Sequence, residues 1–351
     1  MTFLRNAWYC VGWATQLGTQ PTAITVMDEP IMLTRLAGKA VALSDRCPHR
    51  FAPLSLGKVQ GDLIECRYHG LRFDAQGICR LNPHGGAIPK AARVKSYPLA
   101  ERDGMLWIWM GAQGRANESE LPHLTHFLDP ANHAIGYGYF KLGAHCELVI
   151  DNLMDLSHAP YLHAGSLSNG ASDAQLMRVE TRQDGNTVLA YHRLDGVPPT
   201  PQFQPFWKSA SPVGDFRANM QWDPPCNLRL DVGITEPGHT AAEGLYIHMV
   251  HLLTPASRNE THYFWAAARN YGIGDEHFHS IVQQLITNAF TNEDEPMIRA
   301  VQNRMGDADL FSLKPVLLRA DAAGVRVRRI LEKLRNAERE SHHHLDAASR
   351  G

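Results

Sequence analysis

Cys47-Pro48-His49 and, sixteen residues on, Cys66-Arg67-Tyr68-His69 form the stretch whose reading decides the fold of the first part of the chain. Each half offers one thiolate and one imidazole from a segment short enough to be a single loop. Pro48 fixes one backbone angle and Gly70 frees another, which suits tight bends at both places. Donors paired this way point to a metal centre rather than to scattered core cysteines and surface histidines. Two centres take such a set. One is a structural zinc held by two Cys and two His. The other is a two-iron, two-sulfide cluster, with both Cys on one iron and both His on the other. Zinc fingers more often place Cys with Cys and His with His, the histidines on a helix. Here each loop mixes the types and the flanks read as strands, which favours the iron–sulfur centre.

Those flanks carry short β-prone runs at 23–27, 31–35, 41–44, 63–66 and 105–110, punctuated by turn pairs such as Gly61-Asp62 and Asp103-Gly104. The pattern predicts a small antiparallel sandwich or barrel. A polar stretch at 111–117 follows and marks the best boundary. The expected organisation is one domain over 1–115, a second over 116–340, and a polar tail over 341–351 that includes His342-His343-His344. A length of 351 residues suits two domains. In the second part, a helical pattern at 146–158 precedes strand-like runs at 187–191, 228–235, 245–253 and 262–267. Long helical patterns then cover 276–304 and 322–339. Helix, many strands, long helix predicts an α+β layer with a curved sheet wrapped on a helix.

Composition narrows the function. Apolar residues make up 44% and charged residues 20%, as in a soluble globular protein. Net charge is −2 from 34 basic and 36 acidic residues, which argues against a broad nucleic-acid footprint though not against a local basic patch. No apolar run is long enough to span a membrane and the N-terminus lacks a secretory h-region, so the expected location is cytoplasmic. Six cysteines are too sparse for a disulfide scaffold. No Gly-rich dinucleotide fingerprint and no plant-type ferredoxin spacing occur in the sequence.

A second constellation lies in Asp151-Asn152-Leu153-Met154-Asp155-Leu156-Ser157-His158-Ala159-Pro160-Tyr161-Leu162-His163. Five residues on an ideal helix turn His163 well away from His158. Pro160 is expected to end or kink the helix just after His158 and so bring His163 back. Asp155 and His158 are expected on one helix face, as are Asn152 and Asp155. The candidate for a third, oxygen ligand lies in Asn292-Glu293-Asp294-Glu295-Pro296, where a surface acid cluster is the other reading. Ile286, Phe290, Met297 and Val301 mark one apolar helical face; Asp294 falls on it, whereas Glu293 and Glu295 rotate away. A carboxylate on an apolar face is costly unless paired or metal-bound, which singles out Asp294. Two His and one carboxylate are the donor set of a non-haem iron(II) site with open positions.

Together, Cys47-Pro48-His49-Arg50, Ala52-Pro53-Leu54-Ser55, Cys66-Arg67-Tyr68-His69-Gly70 and the 151–163 run resemble the Rieske non-haem iron oxygenases. The resemblance extends to Asn6-Ala7-Trp8-Tyr9, Leu106-Trp107-Ile108-Trp109 and 322–334. Within that family the chain is most similar to the oxygenase components of vanillate O-demethylase and dicamba monooxygenase. The resemblance implies an all-β Rieske [2Fe–2S] domain followed by a helix-grip, START-like α+β catalytic domain. It implies that Cys47 and Cys66 bind one cluster iron and His49 and His69 the other. It places His158, His163 and Asp294 on a mononuclear Fe(II). It gives Asp155 the role of joining His69 of a neighbouring subunit to His158, in a homotrimer, with Asn152 beside the iron site.

The implied activity is a monooxygenase reaction with O₂ on an aromatic, acidic, methoxylated or methylated substrate, releasing formaldehyde by O-demethylation. Methyl or ring hydroxylation is the alternative at the same metal sites. An electron-transfer Rieske protein without catalytic iron, or a zinc-stabilised binding module, would leave the second constellation unexplained. Electrons from NAD(P)H are expected through a separate reductase, with or without a ferredoxin. His251 matches a polar pocket position of dicamba monooxygenase, and His251 or Arg229 is expected to meet an acidic substrate. Leu230 and Leu285 fall near other polar and aromatic pocket positions of that enzyme.

Overall fold

The computed structural model describes residues 3–124 and 129–348. The chain divides into two compact units. One holds residues 3–123 with 254–258, and the other holds 124–253 with 259 onward.

The first unit is built of antiparallel sheets. Trp8–Trp13 and Leu99–Arg102 flank Met105–Trp109, a strand buried at every position, as its unbroken apolar run requires. A second sheet runs Thr22–Val26, Glu29–Leu36, Lys39–Ser44, Ser96–Tyr97. A third runs Lys58–Gln60, Leu63–Glu65, Arg72–Phe73, Cys79–Leu81. Met32, Leu43, Leu54, Ile64 and Phe73 pack a common core with Cys47 and Cys66. Gly77 closes the turn under this core at φ +73°, where a Cβ would stand 2.0 Å from the Val94 carbonyl oxygen.

The second unit is α+β. Its sheet runs Ala134–Leu142, Glu260–Arg269, Leu245–Ser257, Asn227–Thr235, Gly214–Asp223, Thr187–Val197, Arg178–Asp184. The strands at 134–142, 178–184 and 214–223 were not singled out in the sequence. In Gly214–Asp223 burial alternates residue by residue, with Phe216, Ala218, Met220 and Trp222 turned inward. The helices are α1 (Cys146–Met154), α2 (Ala159–Leu162), α3 (Ala171–Leu176), α4 (Glu276–Asn288), α5 (Glu295–Met305) and α6 (Ala322–Ala348). No helix among the described residues is long and apolar enough to cross a membrane.

Two helical expectations need correction. The pattern at 276–304 is not one α-helix: a π-turn, Ala289–Asp294, separates α4 from α5. The extra residue in such a turn shifts every later position around the axis. Met297 and Val301, expected inside, are 53% and 40% exposed, and Ile298 and Gln302 are buried instead. The last helix also continues to Ala348, through the His342–His344 run that reads as a tail.

Helix α6 is tied to α1 by a buried ion network. Arg328 reaches Glu147 at 2.9 Å and Asp151 at 2.6 Å, and Arg335 also pairs with Glu147. Gly324 permits the approach, because a Cβ there would lie 3.1 Å from Asp151 Oδ1. The Arg335 and Arg328 charges outweigh the burial that opposes ionisation of Glu147 and hold its carboxyl below the usual range. Removing one partner leaves a buried charge uncompensated. Arg328→Met is therefore expected to lower the unfolding free energy by about 3–5 kcal/mol. Gly77→Ala is expected to destabilise the first unit by more than Gly38→Ala, whose Cβ at φ +81° meets nothing. Chemical denaturation of each variant, with the midpoint of each unit followed separately, checks both.

Candidate functional site

In the first unit the two Cys/His loops have the same shape. Cys47 N–H donates to Ala52 O (2.9 Å) and Phe51 N–H to Cys47 O (2.9 Å). Cys66 N–H donates to Leu71 O (2.8 Å) and Gly70 N–H to Cys66 O (2.9 Å). Each loop thus closes on itself with its fifth residue left-handed: Gly70 at φ +73° and Phe51 at +59°. Gly70 serves its bend as expected, but its counterpart is Phe51, not Pro48. Asp45 pins the first loop by accepting from Ser55 N–H (2.7 Å) and Ser55 Oγ (2.6 Å).

The loops put their donors in two layers. Cys47 and Cys66 are buried, with their thiols in hydrogen-bond contact, and burial pushes the Cys47 thiol up to about 11. The main-chain N–H groups of His49 and Arg50 are directed at the Cys47 sulfur, the arrangement a thiolate ligand needs. His49 and His69 stand outside them, ring centres 4.5 Å apart. Two sulfurs inside and two imidazoles outside fit a cluster with one Cys iron and one His iron. A ring nitrogen of His84 lies 3.0 Å from the main-chain oxygen of His69, a contact the sequence did not announce.

In the second unit His158, His163 and Asp294 come together. Their nearest donor atoms are separated by 3.3 Å (His158 Nε2 to His163 Nε2), 3.6 Å (His158 Nε2 to Asp294 Oδ1) and 3.3 Å (His163 Nε2 to Asp294 Oδ1). A triangle of that size leaves about 2 Å from its centre to each corner, a metal–imidazole or metal–carboxylate bond length. Among the described residues this is the group able to hold a metal ion.

Local chain geometry explains the convergence, and it differs from the sequence expectation. Helix α1 ends at Met154, before His158. Asp155 leaves the helix at φ −122°, ψ 88°. Its carboxyl accepts from Ser157 N–H (3.0 Å), while His192 Nε2 accepts from Leu156 N–H (3.2 Å). Pro160 then sits in the first turn of α2, where a missing N–H costs nothing. The break at Asp155 precedes both histidines, which are joined by the 3-10 turn Leu156–His158 and the short α2, so the proline does not kink a continuing helix. His158 and Asp155 therefore do not share a helix face.

The tautomers follow from the partners. His158 Nδ1 is 2.6 Å from the Asp155 main-chain oxygen, which can only accept, so Nδ1 carries the proton and Nε2 is free to ligate. It is this carbonyl, not the Asp155 carboxyl, that orients His158. His163 Nδ1 lies 2.6 Å from Glu293 Oε2, which also accepts from Ser166 Oγ at 2.9 Å. Glu293, which the α-helical spacing turns away, is therefore part of the site. Asn152 Nδ2 donates to Asp294 Oδ1 at 3.1 Å. Burial lowers the pKa of His158 despite Asp294. At His163 burial acts the same way, but the hydrogen bonds and charges of Asp294 and Glu293 outweigh it and raise the pKa.

These groups form one wall of a cavity of about 120 Å³, bounded by inward positions of the sheet and by α4. His251 lines it, fully buried, with Nδ1 2.6 Å from Tyr263 OH. Burial holds the His251 ring neutral, at a pKa of about 3. Arg229 is not among the residues lining this cavity; it pairs with Asp223 at 2.6 Å. Leu230 and Leu285 do line it.

Comparison with known proteins places both units. The Rieske [2Fe–2S] domain profile matches residues 7–98, and the vanillate O-demethylase oxygenase C-terminal domain profile matches residues 142–337. The oxygenase component of dicamba O-demethylase from Stenotrophomonas maltophilia is 34% identical over 340 residues, covering 96% of this chain and 99% of that one. The oxygenase component of chloroacetanilide N-alkylformylase from Rhizorhabdus wittichii is 33% identical over 344 residues, covering 96% and 97%. The crystal structure of dicamba monooxygenase bound to 3,6-dichlorosalicylic acid superposes with a TM-score of 0.90 at 32% identity, covering 96% of this chain and 99% of that one. A Rieske domain followed by a catalytic unit with a two-His, one-carboxylate group identifies this chain as a member of the Rieske non-haem iron oxygenases, a terminal monooxygenase component of the vanillate O-demethylase type.

Proposed function

We propose that the protein is an aromatic O-demethylase acting through R–OCH₃ + O₂ + 2e⁻ + 2H⁺ → R–OH + HCHO + H₂O. The observation that carries this reading is the His158–His163–Asp294 group on the wall of an apolar cavity. Its support from relatives is the similarity to a protein named dicamba O-demethylase. N-Dealkylation is the second reading, favoured by the likeness to chloroacetanilide N-alkylformylase.

In this reading Cys47, Cys66, His49 and His69 hold the [2Fe–2S] cluster, and His158, His163 and Asp294 hold Fe(II). When bound, these groups supply a one-electron relay and reductive O₂ chemistry. The chain supplies the rest. Asp155 O and Glu293 fix the two Nδ1 protons so that both Nε2 atoms face one point. Asn152 holds the Asp294 carboxylate by one oxygen. His192 holds the break after Asp155 and so sets the position of His158. The apolar wall excludes water from the substrate's methyl group. Electrons come from NAD(P)H through a separate reductase, with or without a ferredoxin. In a homotrimer His69 of one subunit meets the Asp155 carboxyl of its neighbour, shortening the route for the electron.

The test is oxygen uptake with formaldehyde release by the iron-loaded protein, using a surrogate reductase, NADH and methoxylated aromatics. Substrate-dependent formaldehyde matched to O₂ use is expected. Aldehyde or acid from an N-alkyl group with none from methyl ethers would move the assignment to N-dealkylation. His158→Ala is expected to abolish turnover while leaving the red-brown cluster absorbance intact; normal turnover would remove His158 from the iron. Glu293→Ala is expected to weaken Fe(II) binding by about 10–100-fold, with partial recovery in Glu293→Gln, whose amide oxygen can still accept from His163. Anaerobic Fe(II) titration reads this without turnover.

A further inference from the structure

The cavity beside the iron group is too small, as it stands, for the reaction proposed there. At about 120 Å³ it is smaller than an apolar cavity of about 150 Å³ that takes one unsubstituted benzene ring. A methoxylated ring enters only if part of the wall moves. Most of the wall is held in place. Ala218, Leu230 and Met249 sit on strands paired on both sides. Helix α1 is fixed by its buried ion network, and α4 leads into the π-turn that carries Asp294.

Two lining pieces lie outside this frame. One contributes Leu167, Ser168, Asp173 and Met177, and the other Thr200 and Gln202. The first, residues 164–176, is bonded mainly to itself. The N–H groups of Ser166, Leu167 and Ser168 converge on His163 O at 3.1–3.2 Å. The buried Asp173 carboxylate accepts from Ser168 Oγ and Asn169 N–H, each at 3.2 Å, and Asp173 N–H donates to Gly170 O at 3.0 Å. Gly165 (φ +84°) and Gly170 (φ +98°) turn its corners with open space around them. Its side-chain hydrogen bonds to other elements are two among the described residues. Asn169 Nδ2 donates to Pro198 O, and Ser166 Oγ donates to Glu293 Oε2, both at 2.9 Å.

The Asn169 bond joins the two irregular pieces of wall to each other. A wall parts most readily where few hydrogen bonds cross it. Thr200 Oγ1 and Gln202 Oε1, on the far bank, are buried without a partner, and opening there gives them water. The Ser166 bond reaches the iron group. Glu293 Oε2 also takes the His163 Nδ1 proton at 2.6 Å. Ser166 has one proton to give, and the charged carboxylate is a stronger acceptor than His163 O at 3.1 Å. Two donors thus fix the oxygen that aims His163 Nε2 at Asp294. When residues 164–176 swing outward, Glu293 loses one of them.

We propose that residues 164–176 are the movable wall of the cavity, parting from 198–202 at the Asn169–Pro198 contact to admit substrate, and that Ser166 is the positioning residue joining the closed wall to His163. This rests on the reading of the cavity as the oxygenase substrate site. The iron site is then fully braced only behind a closed wall. By linkage, iron on His163 favours closure by the same factor that closure favours iron.

The test is amide hydrogen exchange of the cluster-loaded protein without and with saturating Fe(II), kept anaerobic. It is read on peptides covering 171–177, beyond the amides that bond to His163 O. In the unaltered protein these amides are expected to exchange faster than those of the strand Gly214–Asp223, and Fe(II) is expected to slow them. Asn169→Ala is expected to speed them by about 10-fold with and without iron. Ser166→Ala is expected to remove the slowing by Fe(II) and to weaken Fe(II) binding by about 10-fold. Ser166→Thr, which keeps the hydroxyl, restores both. Exchange of 171–177 as slow as that of the strand overturns the proposal, as does a rate that Fe(II) leaves unchanged. Both outcomes are read on the unaltered protein, so they hold even where a variant fails to fold. Equal slowing in Ser166→Ala removes Ser166 from the link, and no change in Asn169→Ala removes the latch. None of these measurements needs turnover. Iron-dependent exchange without formaldehyde release would remove the demethylase reading alone. Demethylation by a protein whose 171–177 exchange ignores iron would remove the movable wall alone.

Discussion

His163 stands between two carboxylates, with Nδ1 on Glu293 and Nε2 facing Asp294, and the catalytic unit is arranged around that suspension. Consecutive residues of a regular α-helix point about 100° apart and do not serve opposite nitrogens of one imidazole easily. The π-turn at Ala289–Asp294 changes that local geometry where both acids are needed. On the opposite side, a 3-10 turn and the short α2 join two histidines five residues apart that converge on one point. The break after Met154 costs helical hydrogen bonding and is compensated locally: Asp155 caps Ser157, and His192 receives Leu156 N–H. Backbone irregularity in a helix at a site of this kind is a recurrent way to place ligands.

The first unit solves a related problem with repetition. Two loops of equal shape, each closed by a pair of main-chain hydrogen bonds, present Cys inward and His outward. The small sheet between Lys58 and Leu81 and the Asp45–Ser55 latch hold the loops in place. One loop meets its left-handed position with glycine. The other uses an exposed phenylalanine there, at a steric cost that the closed loop has to hold down. The physical result is an inner sulfur pair in a dry core and an outer histidine pair at the surface, where an electron can leave.

Polarity is distributed with the same economy in the second unit. The sheet turns alternate residues into the cavity, so its lining is apolar while the opposite sheet face carries pairs such as Arg217–Asp231 and Arg229–Asp223. The strongest buried charges, Glu147, Asp151 and Arg328, tie α1 to α6 on residues that are absent from the cavity lining. Helix α1 thus gains a fixed position from one set of charges and offers Asn152 to the metal group with another side of the same turn.

Much of this was legible in the sequence. The mixed Cys/His loops, the 151–163 run and Asp294 named the chemistry, because ligand type and short spacing survive any detail of packing. Five first-unit strands, at 22–26, 29–36, 39–44, 63–65 and 105–109, were readable to within a few residues, since tight turns and apolar runs are local signals; Trp8–Trp13, Leu99–Arg102 and the short strands were not. The strands at 134–142 and 178–184, rich in glycine or charge, were not, because their pairing partners rather than their own propensities make them strands. Tertiary structure decided the rest. It placed Glu293 on His163, ended α1 before either histidine, and gave the orientation of His158 to a main-chain carbonyl. It also decided the cavity's charge, since whether Arg229 faces a ligand or Asp223 depends on which side of a strand it occupies. Periodicity assumes a regular helix, and the residues that matter most here sit where the helix is not regular.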